Sequence, residues 1–169
     1  MIYALVHYPK IDTRLIDQSR QKYDPQFGLI DPHITIMFPV RDSIDGNSLV
    51  SHLENVLSDC RPFPIRLQGL QRSWDDCLFL LVRDGSSEIV RLHNRIYTGV
   101  LAGYKNTDIK FVPHLTLGAF GKDADRYAQA LSAAKALALD YSCVMDKLDL
   151  VKINDERTRI VWNREFVFK

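Results

Sequence analysis

The chain has 169 residues, 46% hydrophobic and 25% charged, with a formal net charge of +1 at pH 7. These values exclude a disordered chain and a basic protein that coats nucleic acid by charge alone. They leave room for a small phosphate-bearing ligand or the end of an RNA strand, bound by one domain over residues 1–169 whose two similar lobes share a core.

Ile2–Tyr8 reads as a first strand, β-branched and aromatic, stopped by Pro9. A helix follows from about Asp12 to Lys22, then a loop over Tyr23–Leu29 with Pro25 and Gly28. His33–Val40 is a strand between Pro32 and the turn residues Asp42, Ser43, Asp45, Gly46 and Asn47. Ser48–Asp59 carries Leu49, Val50, Leu53, Val56 and Leu57 on one helical stripe. Phe63–Gln71 and Cys77–Arg83 form two strands around Ser73-Trp74-Asp75-Asp76. Glu88–Leu101 returns to helical period through Ile89, Leu92, Ile96 and Val100. Phe111–Phe120 is a strand, and Ala124–Leu139 a helix with Tyr127, Leu131, Ala134 and Ala138 on one face. Val144–Ile153 and Arg159–Phe168 close the chain as a hairpin around Asn154-Asp155-Glu156. The second half repeats the plan of the first. An α+β fold follows: two antiparallel sheets facing a central groove, with helices on their outer faces.

The chemistry lies in a repeated pentapeptide, Pro32-His33-Ile34-Thr35-Ile36 and Pro113-His114-Leu115-Thr116-Leu117. From average residue usage its double occurrence by chance has odds of roughly one in a million. Alternate residues of a strand share a face, so each histidine points with its threonine, backed by aliphatic side chains. Two sheets related by a pseudo-two-fold turn these polar faces toward one another. Two imidazoles then flank one point, one as base to an attacking oxygen and the other as acid to a leaving oxygen. Threonine hydroxyls donate to non-bridging phosphoryl oxygens, where charge develops. The same parity places Met37 and Phe120 on the cleft side, Phe120 as a platform for a base. Metal binding is disfavoured, because only Asp31 stands beside either histidine and no H-x-x-x-H spacing occurs. No cofactor is implied.

His52 reads as solvated, and His93 as a surface or half-buried group. Tyr3 and His7 line the cleft if Ile2, Ala4 and Val6 pack against helices; for His7 an ordinary structural role is the plainer reading. Trp74 and Trp162 read as packing residues. Arg41, Lys110, Arg157 and Arg159 lie near the motif strands or the last turn, and none is singled out as a phosphate anchor. Cys60, Cys77 and Cys143 are odd in number and lack C-x-x-C spacing, which suits reduced, mostly buried thiols in a cytoplasmic protein. The apolar N-terminus lacks the features of a signal peptide, and no apolar run reaches membrane-spanning length.

On the two motifs, and on Phe111-Val112-Pro113-His114-Leu115-Thr116-Leu117-Gly118 in particular, the sequence resembles the 2H phosphoesterase superfamily, which includes the "2′-5′ RNA ligase" and cyclic phosphodiesterase proteins. The resemblance extends to the opening strand and the closing hairpin. It implies a bilobal, LigT-like fold with the site in the central groove, and metal-independent hydrolysis of 2′,3′-cyclic phosphates or reversible joining of RNA ends through a 2′-5′ bond. The family's motif residues fall on His33, Thr35, His114 and Thr116. Many relatives carry a basic residue soon after the second motif, whereas here Gly118-Ala119-Phe120-Gly121 precedes Lys122. The expectation is a monomeric cyclic phosphodiesterase acting on an RNA 3′ end or a small cyclic nucleotide. A 2′-5′ ligase is one alternative, and a non-catalytic nucleotide- or RNA-end-binding module is another.

Overall fold

The computed structural model describes residues 1–41 and 44–169, so two of the expected turn residues, Asp42 and Ser43, lie outside the described residues. In chain order the elements are β1 (Ile2–His7), α1 (Arg14–Tyr23), β2 (Ile34–Arg41), α2 (Gly46–Leu57), β3 (Phe63–Arg72), β4 (Cys77–Val82), α3 (Ser86–Ile96), a 3-10 helix (Gly99–Tyr104), β5 (His114–Ala119), α4 (Ala124–Leu137), β6 (Asp140–Met145), β7 (Lys147–Ile153) and β8 (Ile160–Val167). Two units, β1-α1-β2-α2-β3 and β4-α3-β5-α4-β6, repeat one plan.

Side-chain caps start two of these helices, α2 and α4. The Asp45 carboxylate accepts from the Ser48 N–H at 2.8 Å, which starts α2 before the apolar stripe begins. Asp123 caps α4 in the same way, through the Arg126 N–H at 2.9 Å. Leu49, Leu53 and Leu57 of α2 and Ile89, Leu92 and Ile96 of α3 are buried, as their spacing predicts. The helical reading of Glu88–Leu101 overruns: α3 stops at Ile96, and Val100 lies exposed on the 3-10 helix. β6 is the strand the sequence hides. Its Asp140-Tyr141-Ser142 start is polar because β6 forms a sheet edge, and Asp146 separates it from β7.

The expected pair of facing sheets is replaced by one eight-stranded sheet of order β6-β3-β4-β5-β2-β1-β7-β8, every pairing antiparallel. The motif strands β2 and β5 are neighbours at its centre, joined by the single pair Ile34↔Leu115. The histidines therefore meet across a strand joint rather than across a gap between sheets. The helices cross over this joint. α1, from the first repeat, lies against β5, and α3, from the second, lies against β2. A main core of residues such as Leu5, Ile36, Leu53, Leu80, Ile96 and Leu117 fills the space between sheet and helices. A smaller cluster of Ala4, Val6, Ile30 and Val151 lies apart from it. No helix among the described residues is long and apolar enough to cross a membrane.

Candidate functional site

Ile34 and Leu115 are fully buried, so the strand pleat turns the residues flanking them to the opposite face. Those flanking residues are His33, Thr35, His114 and Thr116. All four are partly exposed and all line one groove of about 830 Å³, within the range usual for small-molecule sites.

Immediately after each threonine the strand bulges. Val6 pairs with Thr35 and Leu5 with Met37, so Ile36 is an extra residue on β2. Phe79 pairs with Thr116 and Leu78 with Gly118, so Leu117 is extra at the same place on β5. A bulge of one residue reverses the facing of the residues that follow it, until a further shift such as the one between Met37 and Val40 on β2. This overturns the expectation for Met37 and Phe120. Met37 is fully buried in the main core and Phe120 is 7% exposed there, against Tyr23 and Tyr127. Phe38 and Ala119 line the groove in their place. The fit behind the second bulge is close: a Cβ on Gly118 would lie 2.6 Å from the Tyr23 Cβ and 2.8 Å from the Phe120 ring. Pro39 and Gly118 are the sequence signals of irregular strands here.

On β1 the condition for Tyr3 and His7 to line the cleft is not met, and the plainer reading of His7 holds. Ile2, Ala4 and Val6 line the groove, while Tyr3 and Leu5 pack into the main core. His7, on the Tyr3 face, is fully buried, its Nδ1 bonded to the Lys147 carbonyl at 2.9 Å. Tyr3 and His7 are therefore structural and do not line the site.

The two catalytic candidates are held alike. His33 Nδ1 lies 2.8 Å from the Asp31 carbonyl, and His114 Nδ1 lies 2.6 Å from the Val112 carbonyl. Each ring thus bonds the backbone two residues before it, across a buried proline. A carbonyl accepts only, so Nδ1 carries the hydrogen and the neutral ring keeps Nε2 as its basic nitrogen. Burial is the main influence on both and favours the neutral ring. His33 falls below its ordinary 6.5, with the Asp31 carbonyl opposing and the Arg20 charge adding to the fall. His114 falls to about 4; the Val112 carbonyl opposes, and repulsion from His33 adds.

Their surroundings break the symmetry. The His114 ring stacks on Phe79 with centroids 3.4 Å apart and planes within 12°, whereas His33 and Tyr8 meet edge-to-face with centroids 6.3 Å apart. Beside His33, Arg20 and Asp24 of the groove wall form a buried ion pair at 2.7 Å, and Arg20 also donates to the Ile30 carbonyl at 2.7 Å. That pair braces the loop leading into His33. The pair spans the end of α1, from Arg20 on its last turn to Asp24 just beyond it, and its burial could not be read from the sequence.

Other sequence readings fare unevenly. Trp74 is 73% exposed and lines the groove, so it is not a packing residue, whereas Trp162 is 42% exposed on β8 and does not line the groove. Lys110 and Arg157 line the groove, and Arg41 and Arg159 do not. His93 is buried, not superficial, and His52 is half-buried with Nε2 3.0 Å from the Ile96 carbonyl. The three cysteines are free and half-buried. Among the described residues, no three His, Cys, Asp or Glu side chains stand together as a metal-binding group.

A sheet with two antiparallel repeats and a His-x-Thr pair on each central strand defines the class of two-histidine phosphoesterase folds. Residues 8–157 match the family model of the 2′-5′ RNA ligase superfamily, and the chain belongs to that superfamily, the 2H phosphoesterases. It is 27% identical over 154 residues to a "Putative phosphoesterase" of Bacillus licheniformis, covering 89% of each chain. It is 25% identical to another of Geobacillus kaustophilus, covering 89% of this chain and 87% of that one. Among solved structures, E. coli LigT complexed with NADP+ has a similar fold, with a TM-score of 0.59 at 16% identity, covering 98% of this chain and 96% of LigT.

Proposed function

We propose that this protein is a metal-independent phosphodiesterase that opens 2′,3′-cyclic phosphates on RNA ends or small nucleotides. The observation that carries the reading is the matched pair of imidazoles. Both line one groove, each has Nδ1 committed to a carbonyl, and each has a threonine one pleat away. One Nε2 takes a proton from water as the water oxygen bonds to phosphorus. The other imidazole, protonated, gives its proton to the 3′ oxygen as the P–O3′ bond breaks. The products are a 2′-phosphate and a free 3′ hydroxyl, and the two rings exchange protonation states. Thr35 and Thr116 donate to the non-bridging oxygens. The phosphate itself favours the imidazolium that the acid role needs, because an adjacent negative charge opposes the effect of burial.

The groove supports a small or terminal substrate. Its lining mixes Arg20, Lys110 and Arg157 with Asp24, Asp75 and Asp108, which is unlike the continuous basic track of a protein that follows a long backbone. That E. coli LigT is complexed with NADP+ is in keeping with a phosphate-bearing nucleotide as the ligand class.

Purified protein incubated with 2′,3′-cyclic AMP is expected to yield 2′-AMP, with turnover unaffected by EDTA. His33→Ala and His114→Ala should each lower kcat by at least about 10²-fold, given the usual worth of a general acid or base, with circular dichroism unchanged. Retained turnover in both variants refutes the assignment. Activity lost to chelator and restored by zinc refutes the metal-independent mechanism. Incubation with paired tRNA halves tests 2′-5′ joining, in which a 5′ hydroxyl replaces water.

A further inference from the structure

The bulge that turns each motif strand leaves backbone groups outside the regular ladder, and buried backbone groups need partners. On β2 the partners come from α3, which packs against that strand. His93 donates from Nδ1 to the carbonyl of Ile36, the bulge residue itself, at 2.8 Å. One helical turn later, the Tyr97 hydroxyl accepts the N–H of Phe38 at 3.0 Å. Both side chains are buried, at 4% and 6% exposure. His93 also reaches the other motif. Its ring lies flat on Phe111, centroids 3.8 Å apart and planes within 6°, three residues before His114. Phe38 completes the cluster, edge-on to both rings at 6.2 Å and 5.9 Å.

The same device recurs at the second motif. Ser19 of α1, 7% exposed, donates to the carbonyl of Leu117, the matching bulge residue, at 3.2 Å. Four residues on, Tyr23 packs where Gly118 has no side chain. Each bulge carbonyl is therefore held by a side chain from the helix of the other repeat.

We propose that His93 and Tyr97 are positioning residues. They fix the bulge that sets the height of the Thr35 hydroxyl and the angle of the Phe38 wall, and His93 ties that strand to the segment carrying His114. The proposal rests on the phosphodiesterase reading for its kinetic consequences, though not for its geometric one. A reacting group displaced by about 1 Å loses on the order of 10²-fold in rate, and the tolerance of such a site is about 0.5 Å.

Two variants separate the hydrogen bond from the ring. His93→Phe keeps a ring against Phe111 and loses the donor to Ile36; His93→Asn loses the ring and keeps an N–H at the position of Nδ1. With 2′,3′-cyclic AMP, His93→Phe is expected to lower kcat about 10–100-fold with KM within about threefold, and His93→Asn to recover most of that loss. Tyr97→Phe, which releases the Phe38 N–H, should raise KM more than it lowers kcat. Wild-type kcat in a folded His93→Phe overturns the proposal, as does an equal loss in both His93 variants that tracks their melting temperatures, the pattern of a merely structural helix contact. If the wild type does not open the cyclic phosphate, the functional reading fails, and a crystal structure of His93→Phe still decides the positioning role. A Thr35 hydroxyl displaced by more than about 0.5 Å supports it, and an unmoved one overturns it. Should His93→Phe not fold, Tyr97→Phe carries the same test through the shift of Phe38.

Discussion

Removing the Phe79 ring should bring His114 back toward an ordinary imidazole. The ring covers one face of His114 at 3.4 Å, and burial is the largest cause of the fall from 6.5 to about 4. That fall corresponds to an energy on the order of 3 kcal/mol favouring the neutral ring. Phe79→Ala opens one of two ring faces to the groove, while the Val112 hydrogen bond and the repulsion from His33 remain. About a third to a half of the energy should be recovered, raising the His114 pKa by roughly one unit. The sign follows from solvation, since water returning to the ring stabilises the imidazolium. NMR titration of the His114 ring in free wild type and variant measures this directly. With His114 as the base, the acid limb of kcat/KM, which reports groups of the free enzyme, moves up by the same amount, so that activity at pH 5 falls relative to pH 6. An unshifted His114 titration in a folded Phe79→Ala protein would refute the claim that the stack desolvates this histidine.

The fold should be acid-sensitive. Burial holds His7, His33, His93 and His114 below 6.5 in the folded state, so the unfolded chain binds more protons as pH drops below 6.5. The stability they contribute is complete above about 6.5 and is lost toward the lowered values, for His114 toward about 4. The urea midpoint should be lower at pH 5 than at pH 7.5; equal midpoints would contradict the neutral state of these rings. Asp24→Ala should cost about 3–5 kcal/mol by leaving Arg20 buried without its carboxylate, read by chemical denaturation. The double variant Arg20→Met, Asp24→Leu should cost less, and the reverse order would mean that Arg20 is not paired in solution.

Much of the site was legible before any coordinates. The Pro-His-x-Thr repeat named the four groove residues because strand alternation over three positions survives almost any tertiary context. Helix stripes were equally plain, since Leu49, Leu53 and Leu57 announce a buried face whatever they are buried against. Failures begin two residues past each threonine. Alternation extrapolated through Ile36 and Leu117 put Met37 and Phe120 in the groove, and the bulges put Phe38 and Ala119 there instead. The β1 faces are not distinguished by the sequence for a related reason: β1 is covered on both sides, so its apolar pattern carries no preferred direction.

That two imidazoles and two hydroxyls share one face of two equivalent strands follows from the chain alone, because a period of two is built into any strand. That those strands adjoin at Ile34↔Leu115 within a single sheet is a result of long-range packing. Tertiary structure also gave His114 the Phe79 stack that His33 lacks, and placed His93 from a distant helix on the Ile36 carbonyl. Those outcomes depend on which surfaces meet after folding, and packing between elements far apart in sequence leaves no periodic mark on any one of them.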